Sequence, residues 1–353
     1  MTDHQKRYSA WTDLDLDGEG KTAGSVYLPI STDRSAYRAV RVPLIVVRGG
    51  DGPSCLVMAG HHGDEYEGQI ACARLAREAT PETVRGTLFI MPHANWPACA
   101  AGTRTSPLDG CNLNIAFPGE EGGGPTAQLA DFLVRQILPR VSLWIDLHSG
   151  GSTLAYLPMP AIHISADRGL NRRAFDALAA FGASRNLVFL IQEARSGSAA
   201  AQRLGVVYVY GEFGGSGGPV SAEGVRLAYH GTRRLLARIG AIAAATGEPA
   251  GDGPRQVLVM AGRDFEDTRR LYSFAEFDGV FEPQARLGDA VAAGGPIGLV
   301  HPIDGSIADP RPIRAATEGV VVCLRGPPLV ENGDCLAHLA RETSLEALLK
   351  AWT

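Results

Sequence analysis

The chain has 353 residues, 45% of them hydrophobic and 20% charged, which is the composition of a globular protein long enough for one large domain and a smaller one. Its 33 basic and 38 acidic side chains leave a net charge of −5, and no cluster of Lys and Arg marks a surface for nucleic acid or an anionic membrane. Composition and charge therefore argue against nucleic acid and membranes as partners.

Neither a membrane span nor a secretion signal is predicted. No apolar run approaches the ~20 residues that a membrane-spanning helix needs, and the first residues lack the apolar segment of a signal peptide. The six cysteines form no Cys-x-x-Cys pair, so they indicate neither a zinc-thiolate site nor a secreted disulfide scaffold. We therefore expect a cytoplasmic protein.

Strand-like and helix-like segments alternate through most of the chain, which favours an α/β fold. Short β-like runs up to about residue 50 predict an antiparallel edge that leads into the sheet. The segments that follow predict strands at 55–59, 88–92, 142–147, 161–164, 187–191 and 206–210, and helices at 69–76, 126–139, 168–182, 198–204 and 221–243. The stretch 93–125 lacks periodicity but carries aromatic and apolar residues, so we expect it to be ordered and to line the site.

A change in composition divides the chain in two. Residues 244–254 lose all periodicity and are rich in Gly, Pro and Ala, which indicates a linker. We therefore predict an α/β domain at 1–246, with the β edge at its N-terminus, and a smaller all-β domain at 255–353. Short β runs separated by turns fill the second domain, and a short helix at 344–350 closes it.

The most informative stretch is residues 60–65, Gly-His-His-Gly-Asp-Glu, which lies between a predicted strand and a predicted helix. Open α/β sheets bind ligands at the carboxyl ends of their strands. A His and a Glu three residues apart can point a ring nitrogen and a carboxylate oxygen at one Zn²⁺. His61 with Asp64 has the same spacing as His62 with Glu65, so the spacing leaves the pair open. A polar loop whose acids favour the helix N-terminus is the alternative.

Two further strand ends carry polar side chains. The strand at 142–147 runs into His148, which is available as a third metal ligand, and the strand at 206–210 leads to Glu212 in front of a glycine-rich loop. Because alternate residues of a strand face the same way, Asp146 lies on the same side as His148. Asp146 is therefore predicted to accept the second ring hydrogen of a ligand histidine.

Four motifs in this order resemble the succinylglutamate desuccinylase/aspartoacylase family, whose members are relatives of the zinc carboxypeptidases. They are residues 60–65, Asp-Gly-Cys-Asn-Leu-Asn at 109–114, Asp-Leu-His-Ser-Gly at 146–150 and Gly-Glu-Phe-Gly-Gly at 211–215. The likeness is strongest to the branch that includes the N-acetyl-diaminobutyrate deacetylases of ectoine breakdown. The resemblance implies a zinc-carboxypeptidase-like mixed sheet flanked by helices. It also implies a zinc-dependent hydrolase that cleaves the amide bond of a small N-acylated amino acid or amine.

Carried over position by position, the resemblance makes His62, Glu65 and His148 the ligands of one Zn²⁺ per chain. It makes Glu212 the general base of amide hydrolysis. It makes Arg104 the residue that polarises the scissile carbonyl group.

The substrate-binding motif departs from the family at one position. The resemblance implies that Asn114 helps to hold the substrate, but Ile115 stands where the family has an Arg that binds a substrate carboxylate. An apolar side chain cannot form the bidentate contact that a carboxylate prefers. Either the substrate lacks this carboxylate or another cation binds it, and Arg195, just past a predicted strand end, is the candidate. A solvated position of Arg195 on the surface is the alternative.

The C-terminal domain is similar to the β-sandwich of biotinyl and lipoyl carriers, through the runs at 287–291 and 315–321. Such carriers have an acceptor lysine that should lie near Glu318, and none is present there. We therefore expect a structural or lid-like role without an attached cofactor.

Two other functions are weighed against an amide hydrolase. A non-catalytic protein that binds a metal or a ligand is suggested by Ile115, and a carboxypeptidase is disfavoured by the same residue, because such enzymes must hold a terminal carboxylate. The expected partner is a small N-acyl substrate. The sequence leaves open the acyl group, the amine and whether the chain forms a homo-oligomer.

Overall fold

A large mixed β-sheet with helices on both faces forms the centre of the structure, a computed structural model that describes residues 9–190, 193–215, 217–244, 251, 256–259, 265–303 and 309–352. The strands are β1 (Trp11–Thr12), β2 (Gly20–Thr32), β3 (Ser35–Gly49), β4 (Cys55–Ala59), β5 (Gly86–Met91), β6 (Leu143–His148), β7 (Leu154–Tyr156), β8 (Met159–His163), β9 (Arg185–Phe189), β10 (Val207–Glu212), β11 (Gln256–Val259), β12 (Tyr272–Phe274), β13 (Gly279–Pro283), β14 (Ala290–Val291), β15 (Pro296–Pro302), β16 (Arg311–Arg314), β17 (Gly319–Arg325), β18 (Leu329–Val330) and β19 (Cys335–Thr343).

The helices are α1 (Tyr66–Glu78), α2 (Trp96–Ala101), α3 (Pro125–Phe132), α4 (Arg168–Phe181), α5 (Gly197–Arg203), α6 (Ala222–Arg238), α7 (Phe265–Arg269) and α8 (Leu345–Trp352). The helix predicted at 221–243 ends at Arg238, because Gly240 adopts a left-handed conformation with φ +79° that terminates it. Within the described ranges, none of these helices has the length and apolar character needed to cross a bilayer.

The order of strands across the sheet brings three strand ends together. The sheet runs β1-β2-β3-β5-β4-β6-β10-β8-β9-β11-β19-β17-β14, and β5, β4, β6 and β10 are parallel to their neighbours within this group. The register sets Met58 beside Asp146 and His148 beside Glu212. β10 and β8 are antiparallel, which makes the sheet mixed. The predicted α/β fold is confirmed at this level, with β1, β2 and β3 forming the expected antiparallel edge.

Both faces of the central strands are covered. Every residue of β4 and β6 is buried, as expected of parallel strands between two layers of helices. On one face α1, α4, α6 and α8 pack around a core that contains Leu75, Leu147 and Phe181. On the other face α3, α5 and the β2–β3 hairpin enclose a second core around Trp144 and Phe117.

The C-terminal strands are divided between two sheets. β16, β15, β13 and β18 form a separate antiparallel sheet, which supports part of the all-β prediction. β11 pairs with β9 of the large sheet, and β17 pairs with β7, so the remaining strands continue the large sheet. The linker predicted at 244–254 lies mostly outside the described residues. The division into 1–246 and 255–353, like the resemblance to biotinyl and lipoyl carriers, stays a prediction.

Candidate active site

The loop between β4 and α1 is fixed by close contact with the segment that follows β5. A Cβ atom on Gly63 would lie only 2.0 Å from the carbonyl oxygen of Ala98, so the two backbones can approach this closely only with glycine. The Gly63 amide also donates to the carbonyl oxygen of Thr103 at 2.9 Å. These contacts place the neighbouring Arg104 beside Glu65, with 3.5 Å between Nη1 and Oε1.

His62, Glu65 and His148 converge at the ends of β4 and β6. His62 Nδ1 is 2.6 Å from Glu65 Oε1, and His148 Nδ1 is 3.0 Å from Glu65 Oε2. Glu65 stands at the N-cap position of α1 but makes no side-chain capping bond, because its carboxylate faces the two rings. Two imidazole nitrogens and a carboxylate oxygen, all within 4.8 Å of one another, are a donor set that suits zinc.

The outer nitrogens of both rings have oxygen partners. His62 Nε2 is 3.0 Å from Asn112 Oδ1, and His148 Nε2 is 3.1 Å from Asp146 Oδ2. Each outer nitrogen can donate its hydrogen to that oxygen, which leaves Nδ1 of each ring available to a cation. Asp146 therefore lies on the same side as His148 and beside its ring, as strand alternation predicts, whereas Asn112 was not singled out as a histidine partner.

The carboxylate of Asp64 ties two loops together. Its Oδ2 accepts hydrogen bonds from the backbone amide of Ser152 at 2.9 Å and from the Ser152 hydroxyl at 2.8 Å. The loop that carries Glu65 is thereby joined to the loop that follows His148.

A second group of potential ligands overlaps the first. His61, Asp146 and His148 also have ligand atoms within 4.8 Å of one another, but the side chains of His61 and Asp146 are fully inaccessible. His62, Glu65 and His148 instead border a cavity, and a catalytic metal needs one position open to water. The geometry thus favours His62 over His61, which the spacing alone left open.

The cavity has a volume of about 390 Å³ and is largely polar. Its walls include Arg104, Asn114, Tyr156, Glu193, Tyr210 and Glu212. It lies at the carboxyl ends of β4, β6 and β10, where ligands of α/β sheets are expected.

Glu212 ends β10 next to His148 on β6 and lines this cavity. Its Oε2 atom is buried and has no hydrogen-bond partner within the described part of the chain. Burial and the negative charge of Glu65 raise the pKa of Glu212 to about 8, although His148 and Arg104 oppose the shift. A buried carboxylate oxygen without a protein partner is available to a water molecule or a substrate.

The buried histidine and the two carboxylates beside it are electrostatically matched. Burial alone would lower the pKa of His148, but the carboxylates of Asp146 and Glu65 outweigh it and hold that pKa well above its usual value. Burial would raise the pKa of Glu65, yet the charges of His62 and His148 bring it below its ordinary range. This acidic pair is a favourable environment for a positive charge.

The remaining predicted residues are distributed unevenly around the cavity. Asn114 lines it, whereas Ile115 is 52% exposed and does not. Arg195 is exposed outside the cavity, and its backbone carbonyl accepts a hydrogen bond from Phe117. The turn before α5 directs Glu193 to the cavity instead, so the position of Arg195 gives no support to its predicted contact with a substrate carboxylate.

Several aromatic residues of the cavity were not predicted. Tyr208 and Tyr210 lie on β10 on the same side as Glu212, and the ring of His163 stacks on Tyr210 with 5.0 Å between centroids. The alternation of Val and Tyr before Glu212 was a usable signal, because it puts both hydroxyls on the face of the general-base candidate. Tyr156 comes from β7 and carried no such signal.

Comparisons with known proteins place this geometry in a family. A family model described as the succinylglutamate desuccinylase/aspartoacylase catalytic domain matches residues 51–239, which is more than half of the chain. The chain belongs to the succinylglutamate desuccinylase/aspartoacylase family. The predicted resemblance is thereby confirmed.

Three known proteins match the chain along nearly its whole length. It is 37% identical over 328 residues to N-alpha-acetyl-L-2,4-diaminobutyric acid deacetylase of Halomonas elongata, with 93% of each sequence covered. The product-bound structure of the ectoine utilization protein EutE (DoeB) from Ruegeria pomeroyi is 37% identical, with a TM-score of 0.88 and coverage of 95% of this chain and 99% of that chain. A succinylglutamate desuccinylase from Silicibacter sp. is 35% identical, with a TM-score of 0.87 and coverage of 95% and 98%.

Proposed function

We propose that this chain is a zinc-dependent deacetylase that hydrolyses the acetamide bond of a small N-acetylated diamino acid, such as an N-acetylated 2,4-diaminobutyric acid. The convergence of His62, Glu65 and His148 on one cavity, with Glu212 beside them, carries the proposal. Family membership supports amide hydrolysis, and the 37% identity to the deacetylase of Halomonas elongata supports the choice of substrate.

Zinc fits the three candidate ligands. The Nδ1 atoms of His62 and His148 and the carboxylate of Glu65 supply the nitrogen and oxygen donors, while Asn112 and Asp146 fix the orientation of the two rings. When bound there, Zn²⁺ would lower the pKa of a water molecule to about 7 and polarise a carbonyl group. A cation held by these ligands would also favour the ionised form of Glu212.

Glu212 is positioned to act as the general base and then as the general acid. Its carboxylate takes a proton from the attacking water as the new C–O bond forms on the acyl carbon. The same proton then passes to the leaving nitrogen as the C–N bond breaks, which yields a carboxylic acid and a free amine. The partnerless Oε2 atom supports this role, because no hydrogen bond within the described residues competes for it.

Arg104 supplies positive charge on the other side of the reacting group. Its side chain is 54% exposed and lines the cavity next to Glu65. The guanidinium can donate hydrogen bonds to the acyl oxygen as negative charge develops on it. The amide of Asn114 is available to hold the substrate near this oxygen.

The cavity also carries a carboxylate that none of these steps uses. Glu193 lines the wall formed by the turn before α5. A diamino acid acetylated on one nitrogen keeps a free ammonium group, and Glu193 is its complement in charge. This match supports a cationic amine over an acidic substrate at that end of the cavity.

The test uses purified protein with its zinc content measured, and the substrate is N-acetylated 2,4-diaminobutyric acid. We expect Glu212→Gln to lower kcat by about 10²- to 10⁴-fold while zinc stays bound, because the variant loses the proton-transferring carboxylate. Glu282→Gln, which changes an exposed glutamate on β13, is the matched control and should retain wild-type activity. Full activity of Glu212→Gln would remove Glu212 from the mechanism.

Two other outcomes separate the alternative functions. Binding of acylated amines without turnover by the zinc-loaded wild-type protein would indicate a non-catalytic binding protein. Release of C-terminal amino acids from peptides would indicate a carboxypeptidase.

A further inference from the structure

A buried group of polar side chains surrounds the Asp146 carboxylate next to His148. Asp146 Oδ2 accepts hydrogen bonds from His61 Nδ1 at 2.9 Å and from the Tyr208 hydroxyl at 2.8 Å, and it lies 3.1 Å from His148 Nε2. The side chains of His61 and Asp146 have no accessible surface. All three contacts fall on one carboxylate oxygen, while the other oxygen, Oδ1, has no partner within the described ranges.

Within the residues that the structure describes, the ring of His61 makes one hydrogen bond. Its Nε2 atom is buried and without a hydrogen-bond partner in the described part of the chain, so Nδ1 provides the only polar attachment. The ring lies between His148 and Phe117, with centroid distances of 4.9 and 6.0 Å. The role of the fully buried His61 ring therefore depends on the role of the Asp146 carboxylate to which it is hydrogen-bonded.

We propose that His61 and Tyr208 are positioning residues for metal binding, because they hold Asp146 Oδ2 against His148 Nε2. This inference rests on the proposed function, in which His148 is a zinc ligand. With both donors in place, the Asp146 carboxylate cannot rotate away from the ring, and the Nδ1 atom of His148 stays directed at Glu65 and the cavity. Partners of this kind orient ligand histidines and are commonly worth a 10- to 100-fold difference in metal affinity.

The two donors come from different elements, which strengthens the constraint. His61 belongs to the loop after β4, and Tyr208 lies on β10, on the opposite side of β6 in the sheet. Asp146 is therefore held from both neighbouring strands. A single donor would leave the carboxylate free to turn about its terminal torsion, which is broad for aspartate.

The experiment measures zinc affinity by competition with a chelator, on wild type and on variants that remove or keep a donor. We expect His61→Leu and Tyr208→Phe each to weaken zinc binding by about 10- to 100-fold. We expect His61→Asn to stay within about threefold of wild type, because the asparagine amide nitrogen can occupy the place of Nδ1 and still donate to Asp146. Tyr210→Phe is the matched control, since among the described residues the hydrogen bonds to Asp146 Oδ2 come from His61 and Tyr208 and not from Tyr210, and its zinc affinity should not change.

Thermal unfolding of each protein after metal removal shows whether it folds, so that a loss of affinity is read only from folded variants. Wild-type zinc affinity in folded His61→Leu or Tyr208→Phe would overturn the positioning role of that residue. An equal loss of zinc affinity in His61→Asn and His61→Leu would show that the imidazole ring is needed and not its hydrogen-bond donor. That result would also overturn the positioning role of His61. If the wild-type protein binds zinc and deacetylates while these variants bind zinc normally, the inference fails and the proposed function stands. Absence of zinc binding in the wild-type protein would contradict both the inference and the proposed function.

Discussion

At the scale of single residues, Glu193 and Arg195 show how a short turn decides the charge of a cavity. The two residues are separated by one position, but the cavity is lined by Glu193 and not by Arg195. Ser196 fixes the turn, because its hydroxyl caps α5 through the amide of Ala199 and also donates to the carbonyl oxygen of Glu193. The sign of the charge that faces the substrate is thus set by local helix capping.

Substitution Glu193→Gln should affect charged and neutral substrates differently. We expect kcat/KM for N-acetylated 2,4-diaminobutyric acid to fall by about five- to tenfold, because a partly exposed charge pair contributes about 1 kcal/mol. N-acetyl-2-aminobutyric acid, which lacks the ammonium group, should be hydrolysed equally by both proteins. Arg195→Gln is the matched control and should leave both rates unchanged. An equal loss on both substrates would show that Glu193 does not recognise the ammonium group.

At the scale of elements, α1 connects the three strand ends of the site. Glu65 precedes its first turn, and within that turn the Oε1 atom of buried Glu67 accepts hydrogen bonds from the amides of Gly215 and Ser221, beyond the end of β10. Gly68 faces Leu147 on β6, where a Cβ atom would lie 2.4 Å from the carbonyl oxygen. The first turn of α1 therefore contacts both β6 and the loop after β10 and sets their distances from Glu65.

Substitution Gly68→Ala tests this spacing. The added methyl group collides with the backbone of β6, so we expect a loss of about 1–3 kcal/mol in the free energy of unfolding. The same displacement moves the neighbouring His148, and zinc affinity should fall as well. Gly169→Ala is the control, since a Cβ atom there meets only the Asp167 side chain at 3.3 Å in helix α4. It should change stability by less than about 1 kcal/mol and leave zinc binding intact. Urea unfolding and chelator competition measure both effects, and unchanged stability in Gly68→Ala would contradict the contact.

The strand ends and the histidine–carboxylate spacing were predictable because both depend on local sequence. Asp146 could be placed behind His148 from strand alternation alone. Asn112, Glu193 and Tyr156 could not be placed, because each reaches the site through the path of a loop or through pairing with a distant strand. Whether Arg195 or its surface alternative applies could not be decided from the sequence for the same reason, since two residues of a turn can face opposite ways.

At the scale of the whole molecule, the C-terminal strands support one wall of the cavity. β7, which carries Tyr156, pairs with β17, and the Tyr156 hydroxyl is 3.2 Å from Nδ1 of His338 on β19. The His338 ring also packs edge-on against Tyr272, with 4.0 Å between centroids. Burial lowers the pKa of His338 from 6.5 to about 3, so the ring stays neutral in the folded protein at physiological pH.

This buried histidine should make stability depend on pH. The unfolded chain takes up a proton near pH 6.5 that the folded chain does not, so the contribution is complete above pH 6.5 and is lost as pH falls toward 3. Between pH 7 and pH 5 the wild type should lose about 2 kcal/mol that His338→Gln does not lose. Urea unfolding at both values measures the difference. The exposed His301 provides the control, since His301→Gln should lose the same stability as the wild type between these pH values. If the free energies of unfolding of wild type and His338→Gln differed by the same amount at pH 7 and pH 5, the burial of a neutral ring would be contradicted.

The turn before α5 lies outside the group of strands that carries the candidate metal ligands, since it follows β9 while those ligands follow β4 and β6. Under the proposed function, recognition of the amine and cleavage of the bond would therefore be encoded in separate stretches of the gene. Replacement of this turn offers evolution, or a protein engineer, a way to exchange one amine for another without rebuilding the hydrolytic apparatus.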